Sequence, residues 1–225
     1  MNKTIHWLIV FLMPIFLGFG VIRAVIAWDY PAWEYGRIAP DAYGWTPEER
    51  LEMARATLDY MQRPEPAEEV IYLLEELRLP EDPTRPLYNE AEIHHMLDVK
   101  HLTDNIRNIL WVTAVLVLAG FALLFARPEG RRLGRLAIYR GGLATVAVLT
   151  GIALFILIGW SFFFVFFHEL LFPPGTWTFY YTDSLIRLFP EQFWFDMGLI
   201  LSLTPLVLGI AFTAVGYWLK RPHTP

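Results

Sequence analysis

The sequence predicts an all-α membrane protein, with four transmembrane helices and an extracytoplasmic helical subdomain between the first and second. Three observations carry that reading. Of the 225 residues, 55% are hydrophobic and only 18% are charged, where a soluble chain carries about 25% charge. Mean hydropathy is +0.38, and the apolar residues gather in four runs, each near the roughly 20 residues that cross about 30 Å of hydrocarbon. The charges are segregated between those runs rather than spread among them.

Residues 7–27 form the first run, interrupted only by Arg23, which is placed to snorkel near its outer end. It is too long for the core of a cleaved leader, and three more runs follow. Residues 28–105 are polar and acidic, with eighteen acids against seven bases. Within them, Thr46-Pro47-Glu48-Glu49 reads as a helix start, with an N-cap, a proline at the first helical position and a capping box. Leu51, Ala54, Leu58 and Met61 follow at helical spacing until Pro64 and Pro66 break the pattern. A second short helix is expected over 67–79, then a loop through Pro80, Pro83 and Pro86. Asn89 is the expected N-cap of a third helix carrying His94, His95, Asp98, Lys100 and His101. The second, third and fourth spans are expected over 106–126, 141–167 and 197–218, the last followed by Lys220 and Arg221. Residues 168–196 are an aromatic connection suited to headgroup depth.

The loop after the second span holds Arg127, Arg131, Arg132, Arg135 and Arg140 against one acid, Glu129. Short arginine-rich loops stay inside. Both termini are therefore expected inside, and the acidic insertion and the aromatic connection outside. His95, before the second span, and His168, after the third, then share one depth. A histidine titrates near 6.5 and is the natural proton shuttle at neutral pH. Asp98, three residues beyond His95, lies on its helical face and is a candidate to orient it. The competing reading is a metal site, because His94, Asp98 and His101 also share a face and His168 offers a fourth ligand. His168-Glu169 does not open an HExxH motif, and neither a G-x-S-x-G elbow nor a P-loop is present. A non-catalytic membrane factor is the third class left open, with the cluster then a solvated helix face. The absence of cysteine removes thiol nucleophiles and Cys-based metal sites. A net charge of −5 argues against nucleic acid as a partner.

Asp41-Ala42-Tyr43-Gly44-Trp45-Thr46 with Glu49-Arg50 resembles the first signature of the bacterial lipoprotein intramolecular transacylases, the Lit family. Leu87-Tyr88-Asn89-Glu90 through His95-Met96-Leu97-Asp98-Val99-Lys100 resembles a second, and it selects His95 over His94. Phe167-His168 with Phe172, Gly175, Trp177, Phe179, Asp183, Leu185-Ile186 and Pro190 is similar to a third. The resemblance covers nearly the whole chain. It implies a multi-pass enzyme of the bacterial cytoplasmic membrane, with its site facing outside. That enzyme moves the sn-2 acyl chain of a diacylglyceryl-cysteine lipoprotein onto the cysteine α-amine, giving the lyso form. It implies His95 and His168 as acid and base, Asp98 orienting, and Lys100, Asn89 or Tyr88 serving the oxyanion or headgroup. Trp177 and Asp183 join Tyr88 and Asn89 as expected substrate contacts. No cofactor or metal is called for, and the partners are diacylglyceryl lipoproteins and membrane lipid.

Overall fold

The computed structural model describes residues 1–220, so Arg221 lies outside the described residues. In chain order the elements are α1 (Asn2–Ala27), α2 (Tyr30–Glu34), α3 (Pro47–Gln62), α4 (Ala67–Val70), α5 (Tyr72–Glu75), β1 (Arg78–Leu79), β2 (Asp82–Pro86), α6 (Glu90–Ala126), α7 (Pro128–Ile158), α8 (Trp160–Leu171), α9 (Ser184–Leu188) and α10 (Glu191–Lys220). Four of them, α1, α6, α7 and α10, are long and apolar enough to cross a membrane.

The chain divides into two units. The apolar one comprises Met1–Arg23, Ile106–Ile158 and the segment from Gly198 onward. Its core is Ile9, Val10, Met13 and Leu17 of α1 against Val117 and Leu124 of α6 and Ala137 of α7. Helices in lipid gain no hydrophobic drive from meeting one another, so close backbone approach through small residues holds them. Gly142 of α7 shows this, since a Cβ there would lie 2.7 Å from the Gly209 carbonyl of α10, and Gly216 likewise abuts the backbone of Tyr139. His6 is buried here with partners: its Nδ1 lies 3.0 Å from the Leu133 carbonyl, and its Nε2 lies 3.2 Å from Arg140.

The polar unit comprises Ala24–Asn105 and Gly159–Met197. Helix α3 begins where the sequence places it, with Thr46 and Glu49 closing the capping box. The expected helix over 67–79 is shorter. It stops at Glu75 because residues 78–79 are drawn into an antiparallel pair with β2, and the Leu87 amide takes the Leu77 carbonyl at 2.9 Å. The three prolines expected to make only a loop thus flank or sit in a two-stranded hairpin. In a two-stranded pair each strand keeps one open side, where an outward-facing proline nitrogen costs no ladder bond.

The third apolar run also differs from expectation. Helix α7 ends at Ile158, and Gly159, at φ −140° and ψ 51°, breaks the path before α8. The 12 residues of α8 extend about 18 Å, too short to cross a bilayer. Hydropathy alone runs the two together, because both segments are apolar.

The segment after α8 is tied down by the residues of the first signature. Arg187 donates to both carboxylate oxygens of Asp41 at 3.1 and 2.9 Å and stacks 3.3 Å from the Trp45 ring centroid. Burial pushes the Asp41 carboxyl up, but Arg187 and the Trp45 and Tyr43 amides pull harder and hold it below its usual range. Arg50 donates to the carbonyls of Ala39 and Leu188, and the Tyr35 hydroxyl reaches the same Leu188 carbonyl at 2.7 Å. Positions 41–50 therefore anchor α9, about 140 residues away in sequence.

Candidate active site: a histidine pair in an aromatic cage

Helix α6 starts at a reciprocal cap. Asn89 Oδ1 accepts from the Glu92 amide at 3.0 Å, and the Asn89 amide donates to Glu92 Oε2 at 2.7 Å. This satisfies two backbone donors that a helix start would leave open. His95 lies one turn beyond Glu92 and is 7% exposed, while His94 points to solvent. His168 sits in the last turn of α8. The chain then turns back through Pro173-Pro174-Gly175, where Gly175 takes φ +83°, a conformation other residues rarely adopt. Asp183 closes the returning loop by accepting from the Tyr180 amide at 2.8 Å.

That return brings two imidazoles together. The His95 and His168 rings are nearly parallel, 25° apart, with centroids 6.3 Å apart. Phe172 contacts both, at 5.0 Å from His95 and 5.6 Å from His168. Phe179 stands 5.4 Å from His95, and Trp177 and Phe164 stand 5.0 and 4.1 Å from His168. An apolar cage disfavours the charged imidazole. His95 precedes the apolar run that begins at Ile106. Burial, then the proximity of His168, then of His94, pulls it down to about 4. Burial also lowers His168, against a partial offset from the Phe164 carbonyl. Both rings are neutral at pH 7. His168 Nδ1 lies 2.7 Å from the Phe164 carbonyl, which can only accept, so the proton is assigned to Nδ1 and the lone pair to Nε2. His95 Nδ1 is buried with no hydrogen-bond partner.

The remaining expected site residues divide sharply. Trp177 is in the cage, and its Nε1 is buried without an acceptor. Asp98 makes no hydrogen bond to His95, and its Oδ2 is buried unpartnered. A spacing of three on a helix brings side chains to one face without aiming them at each other. Lys100 is fully buried and is spent elsewhere, on Asp104 at 3.0 Å and the Arg63 carbonyl at 2.9 Å. Tyr88 is buried against Thr57 at 2.6 Å, and Asn89 is the helix cap. In place of the expected oxyanion or headgroup contacts, the structure shows Lys100 and Tyr88 paired within the framework and Asn89 capping α6 through its side-chain oxygen. The metal reading fares no better. His101 faces Glu68 at 2.8 Å, His94 is exposed, and no three His, Cys, Asp or Glu form a metal-holding group among the described residues.

Sequence reasoning missed Glu92. It is 1% exposed and accepts from the Leu185 amide at 2.6 Å through Oε1, besides closing the cap through Oε2. Burial raises its carboxyl, against the two amides that lower it. Its position three residues after Asn89 is a capping-box spacing and was readable; the bond to Leu185 was not.

A relative described only as an uncharacterized protein of Aquifex aeolicus is 26% identical over 230 residues, covering 98% of this chain and 97% of its own. Among solved structures, the membrane integral lipoprotein intramolecular transacylase Lit of Bacillus cereus has a similar fold, with a TM-score of 0.74 at 19% identity over 97% of this chain and 95% of that one. A histidine-to-alanine variant of the same protein superposes at 0.69, with 97% and 93% covered. These structures and the four long apolar helices make the chain a multi-pass membrane protein. Residues 5–194 match the family defined by the lipoprotein intramolecular transacylase Lit, and the chain belongs to that family.

Proposed function

We propose that the chain is an intramolecular acyltransferase acting on N-terminal diacylglyceryl-cysteine, moving the sn-2 acyl group from glycerol oxygen to the α-amine. The observation that carries this reading is the pair of neutral imidazoles stacked in an aromatic cage. The substrate brings both ester and amine, so the reaction needs proximity and proton handling rather than an enzyme nucleophile. The amine attacks the sn-2 carbonyl and forms the N–C bond. Its proton passes to the imidazole pair, where His168 Nε2 offers the lone pair. The tetrahedral intermediate collapses, the C–O bond to glycerol breaks, and the imidazolium returns the proton to the leaving oxygen. Atoms and charge balance without cofactor or metal. The oxyanion needs a donor, and Trp177 Nε1 is the donor beside the pair with its proton unspent.

Expressed in a bacterium lacking this conversion, the protein is expected to turn lipoprotein N-termini into the lyso form. Mass spectrometry of the N-terminal lipopeptide would show one acyl chain on nitrogen and one on glycerol. N-termini that remain diacylglyceryl with a free amine would end this reading.

The pH profile separates the groups. With His95 pulled down to about 4 and His168 lowered from its usual range by burial, the acid limb belongs to the substrate ammonium, near 7.7–8.0. The conversion rate is expected to rise with pH to a plateau above about 8, with no inflection near 6.5; an inflection there would mean that one imidazole titrates normally. Stability moves with pH in the same direction, in a lower window. The folded His95 resists protonation until about 4, whereas an unfolded one takes its proton near 6.5. The stability present above 6.5 is therefore lost as pH falls through that window.

The arginine loop supports an orientation with this site toward the outer leaflet. Gly130 is unsuited as a probe, since a side chain there would run into the Leu124 backbone. In single-cysteine labelling, Glu65→Cys is expected to react with an impermeant reagent and Glu129→Cys to be protected. The reverse pattern would place the histidines inside.

A further inference from the structure

The two units differ in charge as sharply as in polarity. Over Met1–Arg23, Ile106–Ile158 and 198–220 the chain holds nine Lys or Arg and one acid, Glu129. Within this unit, Arg132, Arg135 and Leu136 of α7 and Lys220 of α10 line a cavity of about 260 Å³. Arg132 and Arg135 make no ion pair among the described residues, and both are exposed. Lys220 is held, with its Nζ 3.5 Å from the Tyr139 ring centroid and 4.9 Å from that of Tyr217. The walls are fixed by the glycine contacts at Gly216 and Gly142, which set α7 against α10 backbone to backbone.

We propose that this cavity binds the phosphodiester of an anionic membrane lipid. Two guanidiniums and an ammonium facing one space with no carboxylate among the lining residues repel one another, and a phosphate removes that cost. Arginine forks match phosphate oxygens in pairs, while the lysine supplies a point charge. A lipid is favoured over a free anion by what flanks the cavity. Trp218 and Tyr217 are 68% and 46% exposed, at the end of an apolar helix, where such rings mark headgroup depth. Basic pockets between transmembrane helices are a recurrent form of headgroup site. The site is in the other unit from the histidine pair and does not depend on the reaction proposed for it.

The test uses the full-length protein purified in neutral detergent. Lipid retention is read by native mass spectrometry as dioleoylphosphatidylglycerol or dioleoylphosphatidylcholine is titrated in. The wild type is expected to take up one phosphatidylglycerol saturably and no phosphatidylcholine. Arg132→Gln with Arg135→Gln should weaken that uptake at least tenfold, leaving Arg127, Arg131 and Arg140 to orient the chain. If the double variant fails to accumulate, Lys220→Gln alone decides, with at least a threefold loss expected. Arg85→Gln, the same charge change outside the cavity, should leave uptake unchanged. Equal loss in Arg85→Gln, or equal retention of phosphatidylcholine, would overturn the site. Complete displacement by millimolar inorganic phosphate would make it a free-anion site and overturn the lipid assignment.

Discussion

His95→Ala and His168→Ala are each expected to abolish conversion of diacylglyceryl lipoprotein to the lyso form, while His94→Ala stays close to wild type. A positioned acid or base contributes on the order of 10²–10⁴ in rate. Here each ring also fills the cage that keeps its partner neutral, so the losses should not add. His95 contacts His168, Phe172 and Phe179, and an alanine would leave a void among them. His95→Phe separates packing from proton chemistry, because it preserves the aromatic cage and removes only the titratable nitrogens. It should accumulate and melt like the wild type and still be inactive. The readout is the lipopeptide mass, with protein level checked by blot and thermal unfolding in detergent. Substantial activity in His95→Phe would remove His95 from the chemistry. Full loss in His94→Ala would reopen a role for the exposed neighbour.

Glu92→Ala is the second large effect, and it acts without touching substrate. One carboxylate joins the cap of the helix bearing His95 to the amide of Leu185, ninety-three residues on. Leu185 lies in the first turn of α9, the short helix that follows the loop carrying Trp177 and Phe179. Removing the carboxylate leaves two amides without their acceptor, at about 1–3 kcal/mol for each that stays buried. The loop then loses its tie to His95, and a displacement of about 1 Å at a reacting pair can cost on the order of 10²-fold. The expected signature of a positioning residue is a fall in kcat with KM little changed, together with faster proteolysis within residues 172–183. Glu92→Gln should be intermediate, since one amide oxygen can replace only one of two acceptors. A Glu92→Ala protein with normal turnover and normal melting would remove this role.

How far the sequence reached follows from the range of the physics involved. Apolar runs report burial in lipid residue by residue, so the four long helices were legible. Caps are encoded within four residues, and both the Thr46–Glu49 box and the Asn89 start are where local chemistry places them. The choice of His95 over His94 came from the resemblance of a motif; the fold buries the first ring and exposes the second. Tertiary structure decided what local patterns cannot carry. The conformation at Gly159 separates two apolar helices that hydropathy merges. Lys100 and Tyr88 are held by partners up to thirty-seven residues away, and Asn89 is held in the cap it makes with Glu92. The helix α9 that follows the loop at 172–183 is tied to Asp41, Arg50 and Glu92, each about ninety or more residues distant. Spacing along a helix states which side chains share a face; only closure of the chain determines which buried donor meets which acceptor, and that pairing makes an apolar cage around two histidines rather than a solvated cluster of three.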